Sequence, residues 1–178
     1  AEFDDAFREK MTREQMILES AERAIEEKQF VVYYQPKVDA RTRKVNGAEA
    51  LVRWIHPIHG FLSPGEFIPV FEKNGFIQEL DKYVLKTVCQ DLKKWIRDGR
   101  TPVPVSINIS QLDFDQSDLD LALEGIVDKS RLPHDLIHFE ITESKEATDV
   151  WRRNQLVKKI YEKGFAIELD DFGNGYST

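Results

Sequence analysis

With 178 residues, 41% of them hydrophobic and 32% charged, the chain has an ordinary globular composition and enough length for one domain with its own core. The net charge of -7 argues against a nucleic-acid polymer as partner, but not against a small anionic substrate, because bound divalent cations reverse the local sign. No apolar run approaches the roughly 20 residues of a membrane span, no signal-type leader opens the sequence, and the single cysteine, Cys89, excludes an internal disulfide, so a cytoplasmic protein is expected.

Residues 1–3 read as a cloning remnant. From 4 to 28 the chain is rich in Glu, Arg, Lys, Met and Ala without Gly or Pro, which predicts one long helix. Phe7, Met11, Leu18, Ala21 and Ile25 make only a thin apolar stripe on it. Residues 1–28 are therefore expected to be a connector that leans on the domain, or on a preceding one. Residues 30–38, FVVYYQPKV, are aromatic and β-branched and predict a strand. A polar turn at 40–44 and a second strand at 45–54 predict an antiparallel hairpin. Pro57, Gly60, Pro64 and Gly65 punctuate a loop, and helices are expected around 66–73 and over 77–97. Strands at 103–110, 136–142 and 165–169 then alternate with helices at 118–129 and 149–163. Repeated strand–helix units imply parallel strands covered by helices, hence an α/β class.

Side chains alternate faces along a strand, so parity sorts them. Ile107 and Ile109 oppose Ser106 and Asn108; Phe139 and Ile141 oppose His138 and Glu140; Ile167 and Leu169 oppose Ala166, Glu168 and Asp170. A parallel sheet covered on both sides should be apolar on both. One polar face instead fits a barrel whose interior opens at the C-terminal rim into a site. Glu49, Asn108, Glu140 and Asp170 then converge from four strands, with Asp171 just beyond. Taken alone, Asp170-Asp171 before Gly173 reads as a solvated turn. Joined by three partners of matching parity, it reads as a metal site.

Carboxylates with one amide oxygen suit Mg²⁺ or Mn²⁺. Asp171 beside Asp170 would bring a second ion to within about 4 Å of the first, the spacing used for in-line attack on phosphate esters. Arg53, two alternations beyond Glu49, is placed to hold a phosphate, with a rim salt bridge as its plainer role. His56, His59, His134 and His138 lack metal-ligand spacing and are expected in ordinary core or surface roles.

The motifs YYQPKVD, GAEALVRW, LSPGEFIPVFEKNG, VSINIS, FEITES and ELDDFGNGYST, in this order, make the chain from about Gln29 onward resemble the EAL domain family of bacterial cyclic di-GMP phosphodiesterases. The resemblance implies a modified (β/α)8 barrel of the TIM type with an antiparallel first strand. It implies that Glu49, Asn108, Glu140 and Asp170 bind one metal, that Asp171 contributes to a second, and that Gln35 and Arg53 contact substrate. Glu143 resembles the glutamate that steadies the loop after the Asp pair, a loop tied in the family to metal binding and dimerisation. The implied reaction is hydrolysis of cyclic di-GMP to linear pGpG, by a homodimer with an upstream diguanylate cyclase (GGDEF) domain. Asn174 departs mildly from the family's usual Thr. The family's later lysine, glutamate and glutamine would lie beyond Thr178, and only five strands of such a barrel are visible, so residues 29–178 are expected to be the N-terminal part of the domain. This stretch by itself is expected to turn over negligibly. The alternative is a non-catalytic cyclic di-GMP receptor or interaction module.

Overall fold

The structure, a computed structural model, describes residues 2–110, 119–142 and 147–170. Its elements in chain order are α1 (Glu2–Glu26), β1 (Phe30–Val38), β2 (Val45–His56), β3 (Gly60–Leu62), α2 (Pro64–Asn74), α3 (Ile77–Arg97), β4 (Val105–Ile109), α4 (Leu119–Ser130), β5 (Ile137–Thr142), α5 (Ala147–Glu162) and β6 (Ala166–Asp170). The strands form one mixed sheet in the order β1-β2-β4-β5-β6, with β3 paired to β2. β1 runs antiparallel to β2, Phe30 lying opposite Trp54 and Gln35 opposite Glu49. β2, β4, β5 and β6 are mutually parallel. The predicted α/β architecture with an antiparallel first strand is what the chain adopts. One short strand escapes the sequence reading: β3 lies inside the stretch read as a loop, because Pro and Gly on either side mask a three-residue run whose Leu62 is fully buried.

The helix-facing side of the sheet is mostly apolar. Val105, Ile107, Ile137, Phe139 and Phe165 are buried there against Leu85, Val88 and Leu92 of α3 and Leu123 and Val127 of α4. Hydroxyls fasten α3 to β1: Tyr34 Oη donates to Asp91 Oδ2 at 2.6 Å and Tyr83 Oη to the Phe30 carbonyl at 3.0 Å. Cys89 is a fully buried core residue, as expected, and burial pushes its thiol pKa up. Between α2 and α3 the chain reverses at Gly75, whose φ of 83° is strained for any side-chain-bearing residue.

α1 seats only the C-terminal part of the expected stripe, Ala21 and Ile25, together with residues outside it. Ile17, Ala21 and Ala24 are buried, while Phe7, Met11 and Leu18 remain exposed. The helix packs chiefly against α2. His56, also buried, ties the β2–β3 turn to this helix. Its Nε2 lies 3.3 Å from Ser20 Oγ, and its Nδ1 accepts from the backbone of Ile58 and His59. Among the described residues no helix is long and apolar enough to cross a membrane.

At the N-terminal end of the parallel strands, His134 stacks on Phe165 with ring centroids 4.1 Å apart. Its Nε2 meets Asp128 Oδ1 and its Nδ1 the Lys163 carbonyl, both at 2.8 Å. Burial works to lower its pKa, but the bonds to Asp128 and Lys163 and the nearby negative charge outweigh it and raise the value. A raised folded-state pKa gives stability that is complete below the unfolded value of about 6.5 and fades as pH rises through the folded value. Melting temperature should therefore decline from pH 6 to pH 8, and His134→Gln should flatten that decline. An equal slope in the variant would assign the effect to other groups.

Candidate active site

Parity along the strands decides what reaches the concave interior. β1 contributes Tyr33, Gln35 and Lys37, β2 contributes Glu49, Leu51 and Arg53, and β4 contributes Ser106 and Asn108, while β5 contributes His138 and Glu140 and β6 Glu168. Register sets the heights: Glu49 lies beside Ser106, Asn108 beside Glu140, and Glu140 beside Glu168. Asn108 Nδ2 donates to Glu49 Oε1 at 3.0 Å, joining β2 to β4. Glu140 is only 7% exposed, and a carboxylate so placed needs cationic or hydrogen-bonding partners.

Arg53 stands four residues beyond Glu49 on β2, with Nη1 donating to the Val52 carbonyl at 2.8 Å. It borders a cavity of about 690 Å³ that runs between the sheet and helices α2 and α3 and is also lined by Glu72, Asp81, Asn108 and Ser110. Most of the remaining wall is apolar, with Ala50, Val52, Ile68 and Val84 among it. The cavity therefore flanks the Glu49–Glu140 line rather than enclosing it, and Arg53 and Asn108 belong to both.

Below this level lies a network that sequence reasoning missed. Lys37 Nζ donates to Ser106 Oγ at 2.9 Å, to Glu140 Oε2 at 3.2 Å and to Glu168 Oε2 at 2.5 Å. Ser106 Oγ donates onward to Glu168 at 3.0 Å, and His138 Nδ1 meets the other Glu168 oxygen at 2.7 Å. Burial would raise the Glu168 pKa, but the bonds from Lys37, His138 and Ser106 overrule it and bring it down to about 2. Burial likewise works to depress Lys37, and its two carboxylate partners raise it instead, so the ammonium stays charged. The available signal was parity: Lys37 is two residues beyond Gln35, and Glu168 two before Asp170.

The structure thus brings Glu49, Asn108 and Glu140 to one interior surface, with Gln35 beside Glu49 in the β1–β2 register and Arg53 above. β6 carries Asp170 at the same edge of the sheet, in register with Thr142. Asp171 and Glu143 lie outside the described residues. Donor chemistry tests the fit of a divalent cation. Glu49 and Glu140 present oxygen, and with Nδ2 bonded to Glu49 it is the amide oxygen that Asn108 has to offer. His138, the imidazole on this face, is turned to Glu168. Such a set fits a hard cation of the Mg²⁺ or Mn²⁺ type. Among the described residues no three acidic, His or Cys side chains form a metal cluster.

A curled mixed sheet with a reversed first strand and carboxylates gathered on its interior face is the wall of a β/α barrel with an acidic interior. The sequence profile of the EAL domain matches residues 18–178, and the chain belongs to the EAL domain family. It is 33% identical over 177 residues to the bifunctional diguanylate cyclase/cyclic di-GMP phosphodiesterase MucR of Pseudomonas aeruginosa, covering 99% of this chain and 26% of that protein. To the cyclic di-GMP phosphodiesterase NbdA of the same organism it is 30% identical over 167 residues, covering 94% of this chain and 21% of that protein. The solved structure of the PaMucR phosphodiesterase in complex with c-di-GMP superposes with a TM-score of 0.83 at 33% identity, over 92% of this chain and 66% of that one. The chain spans about a quarter or less of the length of these curated relatives.

Proposed function

We propose that the chain is the N-terminal part, residues 29–178, of a catalytic domain that hydrolyses one phosphodiester of cyclic di-GMP to give linear pGpG, preceded by a connector at 1–28. The observation that carries this reading is the joined pair Asn108–Glu49, with Glu140 in the neighbouring register position, on the interior face of an EAL fold. In this reading Glu49, Asn108, Glu140 and Asp170 hold one divalent cation, Mg²⁺ or Mn²⁺, and Asp171 helps to hold a second. Bound there, such cations supply the Lewis acidity that phosphodiester hydrolysis at neutral pH needs. Arg53 neutralises a substrate phosphate oxygen, Gln35 orients the substrate beside Glu49, and Glu143 steadies the loop that follows the Asp pair. The net charge of -7 is consistent with this role, because the acids that repel a free dianionic nucleotide are those that recruit the cations. A homodimer, an upstream GGDEF domain and a cytoplasmic setting belong to the same proposal. The double activity in the name of MucR and the single buried Cys89 support the last two.

Incubation of the full-length protein with Mn²⁺ and cyclic di-GMP should release pGpG, and chelation with EDTA should stop it. Tight nucleotide binding with no turnover at any divalent cation would exclude the phosphodiesterase and favour a receptor.

A further inference from the structure

We propose that Lys37 is a positioning residue: a resident cation under the site that fixes the Glu140 carboxylate for cation binding and keeps Glu168 out of the ligand set. This rests on the reading of Glu140 as a ligand given above.

Its geometry is unusual for a surface-type ion pair. Lys37 stands on β1 and Glu168 on β6, at opposite ends of the sheet order. Four inter-strand spacings of about 4.8 Å put roughly 19 Å of arc between them. Two extended side chains reach only roughly 11 Å, so the contact at 2.5 Å exists because the sheet is curled and Lys37 crosses its hollow. Gly47, opposite Lys37 in the hairpin, leaves room for that crossing. A Cβ there would lie 3.5 Å from the Pro104 carbonyl oxygen, 3.7 Å from the Lys37 Cβ and 3.9 Å from its Cδ, all ordinary contacts, so it is the branches of a larger side chain that would press on the lysine stem.

The donor count assigns the role. An ammonium has three protons, and Lys37 has three acceptors, Ser106, Glu140 and Glu168. Fully engaged, it is held below the rim and does not swing up to a substrate phosphate. Glu168 in turn receives Lys37, Ser106 and His138, which occupies both its oxygens. It is therefore the counter-ion of Lys37 and not a metal ligand. Glu140 is different: it is 7% exposed and accepts from this lysine through Oε2, a bond that restrains the orientation of its carboxylate. Partners that orient a ligating carboxylate change metal affinity by about 10–100-fold when removed.

The test is a Mn²⁺ titration of the full-length protein, followed by the spectroscopic signal of free Mn²⁺, with a melting curve for each variant. Lys37→Met alone leaves Glu168 uncompensated and should destabilise. The double variant Lys37→Met/Glu168→Gln removes the lysine and one of its two carboxylate partners, and should recover part of the lost melting temperature while still binding Mn²⁺ about tenfold or more weakly. Gly47→Val keeps every charge and displaces the lysine stem, and should weaken Mn²⁺ binding several-fold. Either of these last two, folded and binding Mn²⁺ as the wild type does, would reduce Lys37 to a strut and overturn the inference. A wild-type protein that takes up no Mn²⁺ would overturn the cation site itself and the inference with it, a result distinct from wild-type binding that the variants leave unchanged.

Discussion

Replacing Glu49 with Gln in the full-length protein is expected to lower cyclic di-GMP turnover by about a thousandfold or more, with little change in melting temperature. The substitution exchanges one oxygen for nitrogen at constant size. The bond from Asn108 Nδ2, 3.0 Å long, can be kept through the remaining amide oxygen, so the β2–β4 junction survives. What disappears is a negative charge and a hard donor at the position the proposed cation uses. Losing about 4 kcal/mol of transition-state stabilisation corresponds to about three decades of rate. The readouts are pGpG release at saturating Mn²⁺ and a thermal melt of the same sample. Turnover within tenfold of wild type would remove Glu49 from the machinery.

Trp54→Ala should be the most damaging of single core changes, at about 3–5 kcal/mol, against a total stability of about 5–15 kcal/mol for a typical domain. Trp54 is fully buried, with ring centroids 4.9 Å from Phe30, 5.7 Å from Phe67 and 5.8 Å from Phe71. Its Nε1 donates to Gln29 Oε1 at 2.9 Å, and truncation strands that acceptor as well as opening a cavity. Trp54→Phe keeps most of the volume and loses the donor, so it should cost about 1–2 kcal/mol. Urea melts separate the two. Because Arg53 is the adjacent residue, facing the opposite way, the Ala variant should also raise KM for the substrate at temperatures where it remains folded. A truncation costing under about 1 kcal/mol would mean that the aromatic cluster repacks around the gap.

Much of this was legible in the sequence because a strand has period two. Ser106, Asn108, His138 and Glu140 oppose Ile107, Ile109, Phe139 and Ile141 in the chain as they do in space, and one polar face per strand suffices to predict a barrel interior. Asn108 and Glu49, 59 residues apart, are bonded as that parity required. The part that stayed hidden was long-range and charged. Lys37 meets Glu168 across 131 residues, and nothing local says which of several interior acids a lysine will choose. That choice is set by how tightly the sheet curls. α1 was only partly legible for a different reason: Ala21 was read as part of its stripe, but Ala24 is small and carries little weight in an apolar pattern beside Phe7 and Met11, and Ile17 lies off that stripe.

The reversed direction of β1 has one more consequence. In a barrel of parallel strands only, the chain enters its first strand at the base, away from the mouth. Here Phe30 lies opposite Trp54, so the end of α1 arrives at the rim that carries Arg53. From there α1 lies along α2, with Arg13 bonded to Glu66 at 2.9 Å, and meets the β2–β3 turn through Ser20 and His56. A segment joined ahead of α1 would thus be connected through a helix that ends at this rim, on the side of Arg53 and away from the base.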